Sequence, residues 1–222
     1  MNLINLSNYY LNPQALPILI VGFVVLLAGY FVLSRDSKSA INFRFFLICI
    51  SVGFWLLPTA IGYLSKNLAI ATIWFKIDNF SVFFISINVY IFIKTFLNKK
   101  ISAIDWIGYS VITALGLTLV LSDYLIIGVQ SYDWGYFPKW SIGGGIILLA
   151  IFFMYMIASF IMLALYYPKI NSPLAKDILT NGMARLLQSA ATAPSAYTGT
   201  KLAVDWINDL IGPSVINSGS AL

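Results

Sequence analysis

Two charges stand where hydrocarbon should exclude them. In IATIWFKIDNFSVFFISINVYIF, residues 70–92, Lys76 and Asp78 interrupt a run that otherwise reads as membrane-crossing. An acid at bilayer depth is costly, so it is expected to face a bundle interior or a water-filled cavity and to mark function. At about 100° per residue, Asp78, Ser81 and Asn88 fall on one face of a helix. That predicts an inward carboxylate at the head of a polar stripe. Lys76 points to another side, and two readings of it stand open. Its ammonium could snorkel to the outer headgroups, or it could pair with Asp123, which interrupts the next apolar run. A third helix running inward from Leu68 puts Lys76 about 12 Å deep, and a fourth ending near Val129 puts Asp123 about 9 Å deep. The two would then be level near the outer leaflet.

A second set could meet a ligand from outside. Tyr9, Tyr10, Trp134, Tyr136 and Trp140, with Asn8 and Phe137, gather near the ends of apolar runs. They would form an interfacial aromatic belt or line a small pocket open outward; no residue among them selects a ligand.

Other chemistry is poorly provided for. The chain has no histidine, and its eight acidic residues are all aspartates, scattered over loops and helix ends. TGTK (198–201) lacks the spacing and preceding strand of a phosphate loop. Gly143, Gly144 and Gly145 lack the spacing of a dinucleotide fingerprint and are expected to serve close helix packing or a flexible approach to the fifth helix. We expect no enzyme, cofactor or metal. Cys49, the single cysteine, sits in an apolar run and reads as a small buried hydrophobe.

The elements that must position these residues are membrane helices. Of 222 residues, 60% are hydrophobic and 9% charged, against roughly 25% charged in soluble domains. Mean hydropathy is +0.88. The net charge of +5 comes from basic residues in short loops, not from a patch interleaved with aromatics, so nucleic acid is not the expected partner. The bilayer is. About 20 apolar residues cross it, and five runs qualify: 16–33, 45–64 (with Pro58 near its end), 68–93, 106–129 and 142–167. A sixth, 178–204, is interrupted by Arg185 and Lys201 but rich in small residues, which let transmembrane helices approach closely. A re-entrant segment broken at Pro194 is the other reading of it. Residues 213–222 read as the start of a seventh helix, cut short. The predicted fold is one all-α polytopic transmembrane bundle over 1–222, with about six helices and the stub of a seventh.

Orientation follows the bias of Lys and Arg toward cytoplasmic loops. Arg35, Lys38 and Arg44, then Lys94, Lys99 and Lys100, then Lys169, Lys176 and Arg185 mark the odd-numbered loops, against Lys66, Lys139 and Lys201 in the others. The N-terminus should lie outside. MNLINLSNYYLNPQ lacks the basic n-region of a cleavable signal, so the first run should remain as an anchor.

With that order in place, four stretches carry a resemblance. They are NPQALPILIVG (12–22), SKSAINFRFFLICISVGFW (37–55), YDWGYFPKWSIGGG (132–145) and DWINDLIGPSVINSGSAL (205–222). Together they resemble, in the correct order, the seven-helix membrane input region at the N-terminus of some bacterial sensor histidine kinases and related diguanylate cyclases. The resemblance implies a sensory module in the inner membrane, passing an external or membrane signal to a cytoplasmic output domain. On this reading the seventh helix is cut off and no output domain follows, so the chain would be that module alone or a truncated product; a homodimer is compatible with it. The rival is a small transporter or channel subunit using Asp78, Asn88 and Asp123 as a polar path, although no internal repeat is evident. A structural membrane subunit is the third reading.

Overall fold

The computed structural model describes residue 3 and residues 5–166. It is mostly helical: α1 (Ala15–Arg35), α2 (Ala40–Leu64), α3 (Leu68–Phe96), α4 (Ala103–Leu121) and α5 (Ile142–Tyr166). All five are long and apolar enough to cross a membrane. Residues 178–204 and 213–222, expected to hold a sixth helix and the start of a seventh, lie outside the described residues.

Helices are what apolar runs must form in lipid, where every backbone donor and acceptor needs an internal partner. Local chemistry sets their ends. Ser39 accepts a hydrogen bond from the Asn42 N–H and starts α2 earlier than the apolar run alone suggests. Asn67 accepts from the Ala69 N–H and starts α3. Asp105 accepts from the Ser102 N–H at 2.6 Å, closing the first turn of α4. Pro58 removes one donor from α2, yet the helix continues to Leu64.

Helix α3 is the centre. α2, α4 and α5 each pack against it, while α1 packs on α2. The α1–α2 seam closes on small residues: a methyl at Gly29 would meet Cys49 Cβ at 2.5 Å. The core runs along α2 and α3 and includes Leu56, Tyr63, Phe75, Phe83, Ile87 and Ile91.

Two expectations are corrected by the segment after α4. The fold is not all-α, and the fourth helix ends at Leu121, not near Val129. The chain then turns into an antiparallel hairpin of β1 (Ile126–Tyr132) and β2 (Gly135–Trp140). Ser122 caps the end of α4 with extended backbone, and Asp-Trp at 133–134 makes the hairpin turn. Gly135, at φ +135°, occupies a conformation that L side chains rarely adopt. Ile127 is the extra residue of a bulge between Ile126 and Gly128. Pro138, opposite Val129, is tolerated because each strand of a two-stranded ribbon has an outer edge that needs no partner strand. The hairpin sits against α2 and α3.

Candidate functional site

The site is built where α2 and α3 meet below the hairpin. Asp78, on α3, is 3% exposed. Its Oδ2 lies 2.6 Å from Thr59 Oγ1 of α2, and its Oδ1 accepts from Asn79 Nδ2 at 2.5 Å. Thr59 Oγ1 is also 2.7 Å from the Trp55 carbonyl oxygen, one turn back on α2. Asn79 Nδ2 donates in addition to the Phe75 carbonyl, and Asn79 Oδ1 accepts from Trp140 Nε1 at 3.2 Å. The indole bond sets which way the Asn79 amide faces, so Asn79 offers Asp78 a donor. The result is a continuous chain of polar contacts from α2, through the carboxyl group, to the end of β2.

Among the described residues, no cation pairs with Asp78: there are two ion pairs, Lys76–Asp123 and Lys94–Asp105, and Asp78 is in neither. Nor is there a group of three or more His, Cys, Asp or Glu side chains among them that could hold a metal.

Asn88 and Ser81 are buried on the face that carries Asp78, as helical spacing requires. They do not extend its network. Asn88 Nδ2 donates to Ser51 Oγ of α2 at 2.8 Å, and its Oδ1 accepts from the Tyr109 hydroxyl of α4, so it joins three helices lower in the bundle. The polar stripe is thus two separate clusters. Lys76 Nζ reaches Asp123 Oδ1 at 2.7 Å and the Ser122 carbonyl at 3.3 Å. Asp123, however, lies beyond the end of α4 with its side chain 88% exposed. The expectation that Asp123 lies within the fourth helix is therefore corrected. The carboxylate follows the end of α4, and the hydrogen bond and charge of Lys76 hold its pKa below the usual carboxylate value.

Tyr9, Tyr136 and Trp140 turn their polar tips to partners within the molecule. Tyr9 accepts from Trp74 Nε1 at 3.0 Å and donates to the Leu3 carbonyl. Tyr136 donates to the Lys66 carbonyl at 3.1 Å, and Trp140 to Asn79. Trp134 packs its edge on Tyr63 and stacks on Tyr132. Tyr10 stays exposed and accepts from Asn12 at 3.4 Å. These residues form a cap on the bundle. Its hub is Asn12, whose amide donates to the carbonyls of Tyr63 and Trp134 and accepts from the Gln14 N–H. A backbone bridge between Tyr9 and Ser65 holds the N-terminal segment beside the α2–α3 turn.

The sequence reading missed Asn12, Thr59 and Asn79. Asn79 adjoins Asp78, and an amide beside a buried acid was the available signal. Thr59 and Asn12 gave none, because their partners are distant in the chain. A cleft of about 200 Å³ lies elsewhere, on the side of α3 facing α4 and α5, where Tyr90, Asp105 and Tyr155 line it. No family model matches the chain, and neither a curated protein nor a solved structure matches it.

Proposed function

We propose that the chain is a signal-input module of a cell (inner) membrane, its N-terminus and hairpin outside and its α1–α2 and α3–α4 loops in the cytoplasm. A sixth crossing at 178–204 belongs to this reading, as does an output domain or partner protein on the cytoplasmic side. One observation supports it most. The hairpin is hydrogen-bonded, through Trp140 and Asn79, to a buried acid between the two helices that pack most extensively. A change at the outer end has a route into the α2–α3 seam. Helices are stiff, so a shift at that seam is carried to their other ends. The basic residues Arg35, Lys38, Lys99 and Lys100 at those ends favour a cytoplasmic placement.

The test uses the full chain in lipid nanodiscs with Cys49→Ala, spin labels at Arg35→Cys and Lys100→Cys, and the hairpin link cut by Trp140→Phe. The input reading expects the distance distribution between the two labels to change. Unchanged distances would remove it. Passage of ions or solute in proteoliposomes, abolished by Asp78→Asn, would favour the transporter, the second reading that a buried intramembrane acid supports.

A further inference from the structure

We infer that Asp78 is a proton-binding site: with α2, α3 and β2 docked as seen here, its carboxyl group is neutral and its proton is directed from Oδ2 at Thr59. The argument is a count of hydrogens. Thr59 Oγ1 makes two oxygen–oxygen contacts, 2.6 Å to Asp78 Oδ2 and 2.7 Å to the Trp55 carbonyl. Oxygens that close need a hydrogen between them. A threonine hydroxyl has one, and a backbone carbonyl has none. The second hydrogen must therefore sit on Asp78. With it, Asp78 O–H donates to Thr59 Oγ1, and Thr59 O–H donates to the Trp55 carbonyl. The other carboxyl oxygen accepts from Asn79, as the C=O of a neutral acid does. Remove the proton, and one of the two Thr59 contacts becomes lone pair against lone pair.

The charges around the group agree with that count. From α2 it meets Thr59, and Tyr63, one turn further along that helix, is buried as well. From α3 it meets Asn79, and β2 is linked to it through Asn79. None of these is a cation. Lys76, on the same helix, is turned to Asp123, and among the described residues no Lys or Arg of α1, α4 or α5 pairs with Asp78. An ionised carboxylate buried without a partner is strongly unfavourable. The amide of Asn79 is turned to present hydrogens, which suits a carboxyl group and repels a metal ion.

Proton release would put a bare charge in the α2–α3 seam and weaken the link to the hairpin. The inference thus names a ligand for the site of the proposed function, and rests on that reading only for what release signals. The two fail separately: spin-label distances read transmission, whereas infrared absorption reads the proton. The experiment is infrared spectroscopy of the full chain at pH 7, in a detergent without carbonyl groups, in H2O and D2O. We expect a protonated-carboxyl C=O band that shifts down in D2O and is absent from Asp78→Asn. Thr59→Val removes the acceptor of the acid's O–H and should move the band to higher frequency, which assigns it even if Asp78→Asn fails to fold. A wild-type spectrum without the band, or a band that Thr59→Val leaves unmoved, would overturn the inference.

Discussion

Trp140 Nε1 donates to Asn79 Oδ1 across 3.2 Å, joining two residues 61 positions apart. This one bond ties the end of the hairpin to the residue beside the buried acid. It also decides which face of the Asn79 amide Asp78 meets.

Trp140→Phe should separate the hydrogen bond from the packing. The new ring can keep the edge contact that Trp140 makes with Phe137 at 5.5 Å between centroids, but it cannot donate. A net hydrogen bond of this kind contributes about 1 kcal/mol. We expect a loss of that size in reversible unfolding in micelles. In an Asn79→Ala background the same substitution should cost almost nothing further. Equal losses in both backgrounds would show that the indole ring, not its N–H, holds the hairpin.

Helix α1 depends on one close approach. At Gly29 an added methyl would lie 2.5 Å from Cys49 Cβ, and no rotamer moves a Cβ away. Gly29→Ala must therefore push α1 off α2, at about 1–3 kcal/mol for overpacking. Gly22→Ala meets Leu57 Cδ2 at 2.8 Å, the end of a flexible side chain, and should cost less. Cys49→Gly should rescue Gly29→Ala. A thermal melt of the four proteins checks the order, and failure of the rescue would place the strain elsewhere.

The first three helices and the fifth were legible because crossing a membrane is a composition problem. The expected 68–93 and the observed Leu68–Phe96 differ only where the end of α3 outlasts its apolar run. The fourth was misread for the same reason. YLIIGV, just beyond Asp123, is as apolar as any helix, and hydropathy reports transfer, not backbone geometry. The cues that geometry supplies were present: Ser-Asp at 122–123, β-branched and aromatic residues around Gly128, and an Asp-Trp-Gly turn. The site was legible by half. Helical spacing placed Asp78 on a buried face, but Thr59, Asn12 and Trp140 reach their partners through tertiary contacts that no local pattern encodes.

Orientation can be read directly. Lys99 and Lys100 follow α3, and Lys139 lies in β2 at the other end of α4. A reporter enzyme active only in the cytoplasm should work when fused after Lys100 and be silent when fused after Lys139. The reverse pattern would place the hairpin, and Asp78 beneath it, on the cytoplasmic side.

The Lys76–Asp123 pair should respond unequally to the loss of either partner. The Lys76 side chain is 16% exposed, whereas that of Asp123 is 88% exposed. Lys76→Met leaves a carboxylate that the protein does not bury. Asp123→Asn leaves a largely buried ammonium with the Ser122 carbonyl and little else. The second change should therefore destabilise more than the first, and in a Lys76→Met background it should have almost no effect. The pH dependence has a definite sign. Lys76 lowers the folded pKa of Asp123, so the folded state favours the ionised form. The stabilisation is fully present above the ordinary aspartate value of about 3.9, and it is lost as pH falls through the lower folded value. Because the protein leaves the Asp123 side chain exposed, added salt should weaken the pair at neutral pH. Melting temperatures of the wild type, both single variants and the double variant, from pH 7 down to pH 3 at low and high salt, test all of this. Equal losses from the two single changes would mean that Asp123 is shielded from water in the membrane-bound protein.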